Sequence, residues 1–210
     1  MTTRASPPPS GQQATHVPPG KRLARLVTEV FAPATVAGLL LLVVAIHSAR
    51  SVSEAVVWGL IAVLFASLLP MLYIIRGVRR RRLSDHHVGV RTQRPLPLLV
   101  GAFSVAVGTA LLTFLHAPRD LVALIGAMAA GLLTSLLVTL FWKISVHVAV
   151  GAGAIVILTL VFGPPLLFLT PLVALIGWAR VELGDHTPVQ VVAGSGLGTL
   201  VAAAVFVILR

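Results

Sequence analysis

Three short polar islands hold the residues of this chain whose types and spacing suit chemistry. The first runs from Ser84-Asp85-His86-His87 to Arg94-Pro95. The second is Lys143-Ile144-Ser145-Val146-His147. The third runs from Arg180 through Asp185-His186 to Gln190. Together they offer Arg, Lys, Ser and His, a set suited to phosphate. Arg presents forked donors to phosphate oxygens, and His serves as nucleophile or proton donor near neutral pH. Two islands also open helices: Ser145 stands at an expected N-cap, and Thr187-Pro188 reads as an N-cap followed by Pro at the first helical position. A helix N-terminus is a ready anion site.

The elements that position these islands follow from where charge is missing. Only 22 of 210 residues are Asp, Glu, Lys or Arg, and six stretches have none: 30–49, 55–75, 95–118, 121–142, 144–179 and 186–209. Uncharged apolar runs of this length mark membrane helices and exclude a soluble globular domain. They alternate too little for barrel strands. The expected fold is all-α, a polytopic transmembrane helical bundle of six to seven membrane segments including a short helical hairpin. Spans are expected over Val27–Ile46, Ala55–Ile75, Pro95–Leu115, Leu121–Trp142 and Pro188–Leu209. The 36-residue stretch from 144 to 179 is broken by Gly163-Pro164-Pro165 and is expected to fold back on itself. Its arms, Ser145–Phe162 and Leu166–Trp178, measure roughly 27 and 20 Å against a core of roughly 30 Å. Residues 1–24, rich in Pro and polar side chains, are expected to form a disordered tail before a membrane domain over 25–210.

If every segment crosses, one side carries 13 of the 16 basic residues, including the run Arg79–Arg82, and the other carries Arg50, Arg119 and Arg210. Basic residues in short loops stay cytoplasmic, so the N-terminus and all three islands are expected at the cytoplasmic face of the cell membrane. The net charge of +10 is then a record of orientation and of contact with anionic lipid, not a sign of nucleic acid. With no cysteine in the chain, disulfides and thiolate metal sites are excluded.

In order and spacing the islands resemble the type 2 phosphatidic acid phosphatase superfamily, membrane enzymes that hydrolyse lipid phosphates without metal. That family shows Lys-x6-Arg-Pro, then Pro-Ser-Gly-His, then Ser-Arg-x5-His-x3-Asp. Here Arg94-Pro95 fits the end of the first motif, with His87 where Lys is expected. Ile144-Ser145-Val146-His147 fits the second, and Ala179-Arg180 with His186 and Gln190 fits the third. The resemblance covers roughly residues 84–200. It implies that His186 takes the phosphoryl group and His147 protonates the leaving oxygen. Arg94, Arg180 and Ser145 would hold phosphate oxygens, with Lys143 replacing the missing Lys. No cofactor is implied, and the partners are membrane lipids and a lipid phosphate substrate. Gln190 replaces the Asp that orients the nucleophilic His, so Asp185 or Glu182 would have to supply the compensating charge. The corresponding Asp-to-amide change in a serine protease triad costs about 10⁴ in rate.

Each of these features also has a structural reading. Thr187-x-x-Gln190 is a capping box, which is compatible with a role beside His186. Asp85, His86 and His87 suggest metal only weakly, because adjacent side chains diverge and no second cluster follows; loop polarity is the simpler account. His47 and His116 read as interface residues. Gly151, Gly153, Gly194, Gly196 and Gly198 are expected to permit close helix packing, and Thr109, Thr134, Ser135 and Thr139 to bond to neighbouring helices. Two functions follow: a phosphatase of lipid phosphates or diphosphates working through phosphohistidine, or a catalytically weak or inactive relative that binds anionic lipid or a membrane partner. A transporter is disfavoured by the absence of repeats and of buried charge along the spans. A magnesium-dependent prenyltransferase is disfavoured by the scattering of Asp85, Asp120 and Asp185. The sequence carries no signal for an oligomeric state.

Overall fold

The structure, a computed structural model, describes residues 18–210, of which 82 % are helical with no strand. Eight helices follow in order: α1 (Pro19–Val30), α2 (Pro33–Ser48), α3 (Val52–Arg79), α4 (Pro95–Phe114), α5 (Arg119–Phe141), α6 (Val146–Phe162), α7 (Pro171–Glu182) and α8 (Pro188–Leu209). Five segments are long and apolar enough to cross a membrane, and α1 with α2 makes a sixth, bent by 42°. The shorter α6 completes the hairpin. This is the expected polytopic α-helical bundle.

The first span departs from expectation at its start and in its middle. Helix α1 already starts at Pro19, so residues 19–24 are helical rather than tail; residues 1–17 of the expected tail lie outside the described residues. The proposed continuous helix from Val27 is interrupted at Phe31-Ala32. Pro33 has no N–H to continue the ladder, and its ring clashes with the carbonyl four residues back. The polar and charged composition of 19–25 hid an amphipathic helix, which buries Ala24 and Val27 against Ala179 of α7.

Helix α3 is held at its start by Ser51, whose side chain accepts from the Glu54 N–H. A π-helical turn over Leu64–Leu68 precedes Pro70, the kind of local widening that admits a residue lacking an N–H. Ser104 Oγ donates to the Phe65 carbonyl in that turn at 2.6 Å, and Ser67 Oγ to Ala34 O at 2.7 Å. These serines form the cross-helix bonds expected of the threonines. Thr109 and Thr134 instead donate to carbonyls of their own helices, at Val105 and Ala130, and Thr139 Oγ1 has no partner.

The hairpin forms at the expected break. Gly163, at φ 103°, ends α6 in a conformation that side chains disfavour. A 3₁₀ segment, Pro164–Leu169, then extends the return arm, so that Pro164–Glu182 presents 19 residues rather than 13. Glycines set the closest approach. A Cβ at Gly194 would stand 2.6 Å from Ser145 O, and one at Gly198 would collide with the Ala149 carbonyl. Two glycines four apart on α8 therefore press that helix onto the start of α6. Gly196 faces open space and has no such role.

Leu41, Val44, Val105, Leu112, Leu124, Ile157 and Phe206 form the main core among α2, α4, α5, α6 and α8. Phe103, Phe141, Leu200 and Ile208 point outward, as they must where the solvent is hydrocarbon. At one end of α8, Arg210 Nε pairs with Asp120 at 2.9 Å. The polar islands meet at the other.

Candidate functional site

Arg94 gathers the site. It stands just before α4, only 5 % exposed. Its Nε donates to Val88 O at 2.9 Å, one terminal nitrogen to Ile144 O at 2.8 Å, and the other faces His186 Nε2 at 3.5 Å. One guanidinium thus ties the α3–α4 loop, the segment before α6 and the segment before α8. Among the described residues no carboxylate pairs with it. A buried cation without a counter-charge is costly.

His186 is held from the other side. Its Nδ1 lies 3.1 Å from Gln190 Oε1, and the same oxygen accepts the Thr187 N–H at 3.3 Å. A backbone N–H can only donate, so the amide oxygen is the atom facing both groups. Nδ1 of His186 must then be the protonated nitrogen, and the Nε2 lone pair is turned toward the Arg94 N–H, which can only donate. The capping box is complete, with Thr187 Oγ1 accepting from Gln190 N. Gln190 thus serves as cap and as orienter at once. Burial, then the charges of Arg94, Lys143 and Arg180, push the His186 pKa from 6.5 down to about 3, with the Gln190 bond acting weakly the other way. The ring is neutral at physiological pH.

The nine residues singled out in the sequence meet in one linked cluster. Arg180, 1 % exposed, donates to Asp185 Oδ2 at 2.9 Å. Lys143 Nζ donates to Asp185 O at 2.6 Å, and burial followed by the charge of Arg94 lowers its pKa. Ser145 is fully buried and its N–H donates to Gln190 O at 3.3 Å. His147 packs edge-on against His87, ring centroids 4.9 Å apart.

Several assigned roles change in detail. The Asp185 carboxylate is spent on Arg180 and makes no hydrogen bond to the His186 ring, so it does not replace the missing Asp. Ser145 sits at the N-cap of α6 but forms no cap bond. Its Oγ, together with His147 Nε2 and Arg180 Nε, is buried without a partner. His87, at the position where the motif has Lys, has its Nε2 3.1 Å from Glu29 Oε1, and burial pulls its pKa down against the opposing pull of that carboxylate. Glu29 was missed because it reaches the site from α1, 58 residues before His87, with nothing in local spacing to mark it.

A cavity of about 250 Å³ opens from His87, Arg94 and His147 into the bundle, where Leu40, Leu124, Met128 and Ala202 are among its walls. It is polar at the mouth and apolar along its depth.

Fold and site together define a multi-pass α-helical membrane protein with a basic, histidine-bearing cluster at one end of the bundle. Compared with protein-family models, curated proteins and solved structures, the chain matches none.

Proposed function

We propose that this chain is a membrane phosphatase acting on a lipid phosphate or diphosphate through a phosphohistidine intermediate. The observation that carries the proposal is Arg94: a buried guanidinium with no carboxylate partner, 3.5 Å from the unprotonated Nε2 of a neutral His186. A phosphate would supply the missing negative charge and place phosphorus beside a lone pair. Three buried polar atoms without partners, Ser145 Oγ, His147 Nε2 and Arg180 Nε, offer further contacts to an anion. The apolar cavity behind the mouth suits a lipid chain.

In this mechanism His186 Nε2 attacks phosphorus as the bond to the leaving oxygen breaks. That oxygen takes its proton from His147, whose imidazolium form the negative charge of a bound phosphate would favour. Water oxygen then attacks phosphorus as His147 accepts the water proton, the phosphorus–nitrogen bond breaks, and its electron pair returns to Nε2. The Arg side chains and Ser145 hold charge that builds on the phosphoryl oxygens. The site would face the cytoplasm, because its end of the bundle carries 12 of the 15 basic residues among the described ones.

A non-hydrolytic lipid-binding protein is favoured by one observation: the group orienting His186 is a neutral amide. One experiment separates the two. Purified protein in detergent is offered a panel of lipid phosphates beside His186→Ala and His147→Ala. Phosphate release lost in both variants supports hydrolysis. Release that persists in both refutes it, and binding without turnover in the wild type selects the second proposal.

A further inference from the structure

At the edge of the arginine cluster, Glu29, His86 and His87 bring one ligand atom each to a point where all lie within 4.8 Å of one another. Glu29 Oε1 is 3.1 Å from Nε2 of His86 and 3.1 Å from Nε2 of His87. Adjacent side chains diverge in an extended chain, and the sequence alone argues against their acting together. The loop between α3 and α4 removes that obstacle. Its Asp85 carboxylate accepts the His87 N–H at 2.8 Å and the Gly89 N–H at 3.1 Å, while Val88 adopts φ 48°. In this tight turn the two imidazoles lie side by side, centroids 4.0 Å apart, and both face α1.

We propose that Glu29, His86 and His87 form a binding site for a divalent transition metal of the zinc class. Two imidazole nitrogens and a carboxylate oxygen are a zinc donor set, whereas magnesium and calcium prefer oxygen alone. With metal–ligand bonds of about 2.0–2.1 Å in a tetrahedron, ligand atoms stand roughly 3.3–3.4 Å apart. To admit the ion the two 3.1 Å contacts to Glu29 need to open by a few tenths of an ångström, and the imidazole nitrogens, which with Glu29 lie within 4.8 Å of one another, need to draw together by a side-chain rotation. Three protein ligands leave a fourth position, and the exposure of Glu29 and His86 lets water reach it. The bound ion would staple α1 to the α3–α4 loop at the mouth of the cavity, beside His147. The site takes no part in the phosphoryl step and stands whether or not the chain is a phosphatase.

The test uses the full chain in detergent, free of any histidine tag and stripped by chelator. It is titrated with Zn²⁺ by calorimetry and with Co²⁺ by visible absorption. One equivalent is expected, with the absorption of four-coordinate cobalt. Glu29→Gln, and the double variant His86→Asn/His87→Asn, should each weaken binding by at least about 100-fold, more than the loss of an outer partner causes. Unchanged helical circular dichroism in Glu29→Gln excludes unfolding as the reason. His47→Asn/His116→Asn, at the other end of the bundle, should bind as the wild type does. Absence of stoichiometric binding to the wild type overturns the proposal, and so does equal affinity in the wild type and the His86→Asn/His87→Asn chain.

Discussion

Gln190 holds His186 by its Nδ1, at 3.1 Å, with the same oxygen that caps α8. The bond sets the tautomer without supplying a charge. Gln190→Glu keeps the length and the acceptor and adds that charge. An adjacent anion favours imidazolium, so the His186 pKa should rise, and phosphate release should rise at least about tenfold, a fraction of what the Asp-to-amide change costs in a serine protease triad. Ring-nitrogen NMR shifts of His186 and single-turnover rates check both parts. An unchanged rate with a raised pKa would show that the charge is not limiting.

The low pKa of His186 also has a sign for stability. Its folded value, about 3, lies below the ordinary 6.5, so the unfolded chain binds the proton more tightly. The stability tied to the neutral ring is present above pH 6.5 and is lost as pH falls from there toward 3. Thermal unfolding in detergent should show this acid slope, and His186→Gln should flatten it.

Arg94→Lys keeps the charge but not the fork. An ammonium cannot span Val88 O, Ile144 O and His186 together, and at least one buried carbonyl is left without its donor. A loss of about 1–3 kcal/mol is expected, with a larger loss of phosphate release. Denaturant titration and turnover on the same preparation separate the two.

Gly194→Ala places a methyl group 2.6 Å from Ser145 O. Backbone must move, at a cost of about 1–3 kcal/mol or more. Gly196→Ala meets nothing within 4 Å and should leave stability and phosphate release unchanged. The pair makes an internal control for helix packing in thermal unfolding.

Arg210→Ala breaks the 2.9 Å pair with Asp120 at the far end. Its side chain is 42 % exposed, so the loss should stay within about 1 kcal/mol, with phosphate release unaffected.

Most helices were legible because hydrocarbon tolerates so little charge that each span appears as a gap between charged residues. The same scarcity made the polar islands conspicuous, and the nine residues chosen from them meet. What escaped depended on tertiary contact. The Pro-rich, polar composition before residue 25 gave the start of α1 the look of a tail, whereas the face carrying Ala24 and Val27 packs against Ala179. Glu29 became significant only through residues 57 and 58 positions away. Ser145 followed the local rule for an N-cap in position but not in bonding. Buried against Gln190 and Gly194, its hydroxyl makes no cap bond.

The Arg94 clip has a consequence for biogenesis. Its carbonyl partners and His186 are separated from one another by up to 98 residues, from Val88 to His186. During insertion one terminal nitrogen of the guanidinium would wait, unsatisfied, until the segment before α8 arrived. Helix α8, through Gly194 and Gly198, is therefore the keystone of assembly: a nascent chain without it would expose the carbonyl of Ser145 and half the fork of Arg94, a signal that membrane quality control could read.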